Sequence, residues 1–181
     1  MTTPLLGCLG PGAPDRADLV RVAGRPLSTA GLAESAGAVA VNLEGAGVVA
    51  VESGASMETV VAVVGALAAG AVVVPVPADS GRGERDHILA DSGASVLLLT
   101  GEEQGSVSGD GSPTIASIPV DLGQRASLRV AERSPSAPAL LLYTSGTTGP
   151  PKGVPISGAA ITACLDGLAD AWAVDGDDVV G

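Results

Sequence analysis

Between positions 144 and 152 the chain gathers four hydroxyl side chains, Thr144, Ser145, Thr147 and Thr148, two glycines, Gly146 and Gly149, and its only lysine, Lys152. Glycines permit positive φ and close backbone approach, so successive amide N–H groups can converge on an anion. The hydroxyls add further donors, and one could also reach a phosphate-bound magnesium ion. Pro150 and Pro151 stiffen the exit and so reduce the entropy lost when such a loop closes on a ligand. Lys152 supplies the compensating charge. Binding of a polyphosphate is the chemistry that this set of groups suits.

Two familiar phosphate motifs do not fit. In a Walker A loop counted from Gly146, the second glycine would fall on Pro151, and Lys152 would be followed by Ser or Thr rather than Gly153. Gly45-Ala46-Gly47 superficially matches a dinucleotide fingerprint, but it follows a predicted helix and enters a predicted strand, the reverse of what pyrophosphate binding needs. The plain alternative for 144–153 is a Gly/Thr-rich surface turn. Such a turn seldom unites a preceding apolar strand, a run of small and hydroxyl residues and a Pro-Pro-Lys-Gly exit.

The elements that must position this loop are legible from punctuation and periodicity. Leu140, Leu141 and Leu142 predict a strand opening into it, with the sole tyrosine, Tyr143, at the junction. Upstream, short strands are expected at 19–22 and near Pro26-Leu27, around a turn at Gly24. Ser28 caps a helix running towards Glu44 and ended by Gly45, Ala46 and Gly47. A buried strand at 48–51 follows, and then Ser56 caps a helix carrying Met57, Val60, Val61, Val64 and Leu67. Thr59 to Ala78 is uncharged over a length that could span a membrane, but Gly70, Pro75 and Pro77 interrupt it. A helix to about Ala69 and a covered strand at 72–76 fit better. A polar helix at 83–91, an apolar strand at 96–99, an exposed loop at 101–113 and a strand at 115–120 complete the first part. A last helix starts at Ser157, with Ile161, Cys164, Leu165, Leu168 and Trp172 on one face. Trp172 and Cys164 are expected in the core, and His87 on a solvated helix face. Val179-Val180-Gly181 resembles the opening of a strand whose edge would be unpaired and open to self-association. This alternation predicts an α/β fold with a mostly parallel sheet flanked by helices.

A formal net charge of −11 argues against nucleic acid or an anionic membrane as partner. It also disfavours ATP at long range, so local geometry must decide. No acidic residue falls between Arg133 and Leu165, the window that holds the loop. Cys8 and Cys164 match no metal or redox spacing, which predicts reduced thiols in a cytoplasmic protein. Leu5-Leu6-Gly7-Cys8 is a weak lipoprotein-like box without a basic region or long apolar run before it.

The segment Tyr143-Thr144-Ser145-Gly146-Thr147-Thr148-Gly149-Pro150-Pro151-Lys152-Gly153 resembles the signature loop of the adenylate-forming acyl-CoA synthetase superfamily. Glu58-Thr59-Val60-Val61-Ala62 with Ala69-Gly70-Ala71-Val72-Val73-Val74-Pro75-Val76 is similar to that superfamily's first core motif, and His87-Ile88-Leu89-Ala90-Asp91-Ser92 to the helix after it. Asp79-Ser80-Gly81 and the 165–172 stretch resemble the malonyl-CoA or methylmalonyl-CoA synthetases. The resemblance implies that a small carboxylate and ATP give acyl-AMP and pyrophosphate, after which the CoA thiol gives acyl-CoA and AMP, with Mg²⁺ assisting. It assigns Thr144, Ser145, Gly146, Thr147, Thr148, Gly149 and Lys152 to the β- and γ-phosphates. Members run to several hundred residues in two domains. Residues 1–181 therefore correspond to an incomplete N-terminal part of the AMP-binding domain, truncated after the phosphate-loop helix and without the C-terminal domain. The adenine, ribose and acyl contacts and the C-terminal lysine are missing, no catalytic residue is assigned, the metal ligands are unknown, and the chain alone is expected to be inactive. A non-catalytic binding or assembly module derived from such an enzyme is the alternative, and a general phosphate-binding domain a third reading.

Overall fold

The computed structural model describes residues 4–101, 115–144 and 150–173. The predicted strand at 179–181 and the predicted loop at 101–113, apart from Gly101, lie outside them. A 3-10 segment at Pro4–Leu9 and a small antiparallel hairpin, β1 (Val20–Val22) and β2 (Arg25–Leu27), precede the main layers. Helix α1 (Thr29–Asn42) begins where the Ser28 hydroxyl accepts from the Gly31 amide at 3.0 Å. Helix α2 (Met57–Ala68) begins in the same way, Ser56 accepting from the Thr59 amide at 3.1 Å. Each cap satisfies a donor that the first helical turn leaves unpaired.

Among the described residues the main sheet has six strands: β3 (Val48–Ser53), β4 (Val72–Pro77), β5 (Val96–Leu99), β6 (Ala116–Pro119), β7 (Pro138–Thr144) and β8 (Lys152–Ser157). Their spatial order is β6-β5-β3-β4-β7-β8; the first five run parallel and β8 returns antiparallel to β7. Strand alternation sorts side chains to two faces. Val49, Val51, Val73 and Leu98 pack under α1 and α2, whereas Ala50, Val74, Val76 and Leu97 pack under the third helix, α3 (Arg82–Ser92), through Ile88 and Leu89. Continuous Val-rich strands are what a sheet covered on both faces requires.

Two glycines allow close approach to α1, Gly65 from α2 and Gly37 towards the chain that follows β6. A methyl on Gly65 would stand 2.6 Å from Val39 Cβ, and one on Gly37 would stand 2.3 Å from the Ala126 carbonyl oxygen. The latter belongs to a strap, residues 120–137, which carries the chain from β6 at one edge of the sheet back to β7. It is tied down by Ala126 N–H to Glu34 O at 3.0 Å, Ala131 N–H to Ala68 O at 2.8 Å and Arg133 Nη1 to Ala71 O at 2.6 Å.

Strand β8 and helix α4 (Gly158–Trp172) depart from the sequence reading. The Pro150-Pro151-Lys152 exit leads directly into β8, which pairs with β7 and tolerates Pro155 because it lies at the edge of the described sheet. Helix α4 starts after Ser157 as expected, and the Ser157 hydroxyl caps it, accepting from the Ala160 amide at 3.2 Å. The expectation of a core role for Trp172 and Cys164 is corrected: Trp172 is 62% exposed, Leu165 52% and Cys164 also exposed. The helical spacing does place these residues on one face, but no described element covers it. No described helix is long and apolar enough to cross a membrane.

Candidate phosphate site

Parallel strands β3, β4, β5 and β7 all deliver their carboxyl ends to one edge, where open α/β sheets bind ligands. Thr144 ends β7 and Lys152 begins β8, and the two are paired across the hairpin, so they form the two sides of the stem from which 145–149 emerges. Both are exposed. Of the residues assigned from sequence, the structure thus brings Thr144 and Lys152 together; Ser145, Gly146, Thr147, Thr148 and Gly149 lie outside the described residues.

The layer behind this stem is polar and comes from α3. Tyr143 Oη donates to Asp91 Oδ2 at 2.7 Å, and His87 Nε2 lies 2.8 Å from the Pro151 carbonyl oxygen. The His87 and Tyr143 rings meet edge to face, with centroids 6.3 Å apart at 87°. Burial, followed by the hydrogen bond to Asp91 and its charge, raises the Tyr143 phenol well above its ordinary range. Gly153 makes room for this ring, because a Cβ there would stand 3.1 Å from Tyr143 Cζ. The expected solvated position of His87 is therefore corrected to a half-buried one against the loop stem. Sequence reasoning missed His87 and Asp91; the available signal was their spacing of four on one helix face.

A second polar cluster fixes neighbouring strand ends at the same edge. Arg85 Nη1 donates to Glu52 Oε1 at 3.0 Å, with both side chains 17% exposed. Thr59 Oγ1 donates to Thr100 Oγ1 at 3.2 Å, which in turn donates to the Glu52 carbonyl at 2.6 Å. These bonds tie α2, α3, β3 and the end of β5 into one rigid rim. A groove of about 490 Å³ lined by Val41, Glu44, Ala69 and Arg129 among others lies at the opposite, amino edge and shares no residue with the stem.

A mostly parallel sheet flanked by helices, with the paired ends of β7 and β8 at its carboxyl edge, matches the N-terminal domain of acyl-CoA synthetase-like enzymes. The chain belongs to the AMP-binding enzyme family, whose profile matches residues 11–181. It is similar to a malonyl-CoA ligase solved with methylmalonyl-CoA and AMP bound, at 40% identity and a TM-score of 0.83 over 97% of this chain and 37% of the other. Similarity to ATP-bound MatB from Rhodopseudomonas palustris is 25% in identity with a TM-score of 0.80, over 98% of this chain and 39% of that one. Among curated relatives, surfactin synthase subunit 2 of Bacillus subtilis is 36% identical over 68% of this chain and 4% of its own length. Phenyloxazoline synthase MbtB of Mycobacterium tuberculosis is 35% identical over 81% of this chain and 11% of its own. The chain thus spans well under half of each of these relatives.

Proposed function

We propose that residues 1–181 form the N-terminal part of the AMP-binding domain of a cytoplasmic, ATP-dependent acyl-CoA synthetase, in which 144–152 grips the β- and γ-phosphates of ATP. The observation that supports this reading is the pairing of Thr144 with Lys152 at the carboxyl edge of the sheet. In the parent reaction a carboxylate oxygen attacks the α-phosphorus, the bond to pyrophosphate breaks, and the CoA thiol then displaces AMP from the acyl group. Donors from Thr144, Ser145, Thr147 and Thr148, amides released by Gly146 and Gly149, and the Lys152 ammonium would stabilise the charge that develops on the departing pyrophosphate. Among the described residues no group of three or more His, Cys, Asp or Glu side chains could hold a metal ion. A phosphate-bound Mg²⁺ would offset charge on the leaving pyrophosphate, and a loop hydroxyl such as that of Thr144 could serve as one of its ligands.

A small carboxylate or dicarboxylate such as malonate or methylmalonate is the proposed substrate, supported by the similarity to a ligase holding methylmalonyl-CoA and AMP. The chain alone would form no acyl-AMP, because phosphate contacts without base, ribose and acyl contacts stabilise too little of the transition state. Titrating ATP or pyrophosphate into the 181-residue chain tests the site. Lys152→Ala is expected to weaken binding by roughly tenfold, the loss of one charge-assisted contact, and equal binding by the two chains would overturn the assignment. The second reading, a non-catalytic binding or assembly module derived from such an enzyme, is favoured by the exposed apolar face of α4. A discrete oligomer in light scattering supports that module, and a monomer removes it.

A further inference from the structure

We propose that α3 is the positioning element of the phosphate-loop stem, with His87 and Asp91 as positioning residues that set how Lys152 and Thr144 are presented. This inference rests on the reading of 144–152 as a phosphate grip and adds the part that holds it.

The exit of the loop has an intrinsic weakness. Pro150 and Pro151 have no amide hydrogen, so neither can donate a bond that pins this strand of the hairpin. His87 meets that need from outside the sheet, its Nε2 donating to the Pro151 carbonyl at 2.8 Å. The Pro151 carbonyl and the Lys152 N–H belong to one planar peptide unit and point in opposite directions. Holding the oxygen therefore fixes the direction of the Lys152 amide and the start of its side chain. On the other strand, one residue before the loop, Asp91 accepts from Tyr143 Oη at 2.7 Å. His87 and Asp91 are four residues apart, on one helical face, so a single rigid element touches both sides of the stem. The Tyr143 ring fills the space between them, edge to face with His87 and against the bare backbone of Gly153. The neutral tautomer that carries its hydrogen on Nε2, or the imidazolium, can make the bond to Pro151, so the presence of a donor at Nε2 is what matters.

The test uses the 181-residue chain and three variants: His87→Leu, which removes the donor, His87→Gln, which restores one at similar reach, and Tyr143→Phe, which removes only a hydroxyl. Amide hydrogen exchange at Lys152 and Gly153 is expected to be about three- to tenfold faster in H87L and close to wild type in H87Q, the range set by one neutral hydrogen bond. ATP affinity followed by NMR is expected to fall by a similar factor in H87L and Y143F and to recover in H87Q. Unchanged exchange in both H87L and Y143F would overturn the latch. Faster exchange with unchanged ATP affinity, in a wild type that binds ATP roughly tenfold more tightly than the Lys152→Ala chain, would reduce α3 to a structural support and overturn the positioning role. A wild-type chain that shows no response to ATP would overturn the phosphate reading itself, while the exchange rates still decide whether the latch exists.

Discussion

In the central strands Val49, Val51, Val73 and Leu97 have no exposed surface, whereas on α4 Leu165, Leu168 and Trp172 stand 52, 39 and 62% exposed, although both regions show regular apolar spacing. The central strands are covered by α1 and α2 on one face and by α3 on the other. The β7–β8–α4 arm joins the sheet through the β4–β7 pairing and meets α3 at the loop stem, and among the described residues no layer covers the apolar face of α4. Apolar periodicity fixes which side chains share a face; burial requires a second surface to meet it.

The sharpest way to break this contrast is to truncate one residue in each region. Leu97→Ala is expected to destabilise the chain by about 2–5 kcal/mol in urea denaturation, because it leaves a cavity between packed layers. Leu165→Ala should change stability by no more than about 0.5 kcal/mol. Similar losses for the two would show that α4 is covered in solution.

Glycine-to-alanine exchanges sharpen the contrast at smaller amplitude. In α1, Gly37→Ala drives a methyl against the Ala126 carbonyl and should destabilise by about 1–3 kcal/mol. In α4, a methyl on Gly167 meets nothing within 4 Å, so Gly167→Ala should stabilise by about 0.5–1 kcal/mol through helix propensity alone. Thermal melts of the two variants shifting in the same direction would contradict the packing described.

The smallest effect lies at the joint between the regions. Because the folded chain holds the Tyr143 proton more tightly than the unfolded chain, that contribution is full below the ordinary phenol value of 10.0 and is lost as pH rises beyond it. Above that pH, wild type should lose stability more steeply than Tyr143→Phe, measured as the urea midpoint against pH. Parallel curves would mean that the phenol is not held in this way.

Much of this fold was legible because local chemistry and final environment agree. Ser28 and Ser56 cap the helices they were expected to cap, the last helix begins at Ser157 as expected, and the Val-rich strands β3 and β4 are buried on both faces. Strand β8 was not foreseen, since Pro150, Pro151 and Pro155 signal loop in any local reading and are accommodated only because β8 is an edge partner of β7. Thr144 and Lys152 stood out by residue type, but their pairing across a hairpin did not, because it depends on β8. His87 and Asp91 did not stand out, because their partners, Pro151 and Tyr143, lie 64 and 52 residues further along the chain and only the sheet order brings them together.

The strap at 120–137 has a consequence for exchange between molecules. Swapping the β7–β8–α4 arm into a second copy would require this connection to straighten into a hinge, as domain swapping demands. Its bonds to Glu34, Ala68 and Ala71, and the fit of Ala126 against Gly37, would all have to be peeled away first. The strap thereby opposes release of the arm from the sheet of its own molecule.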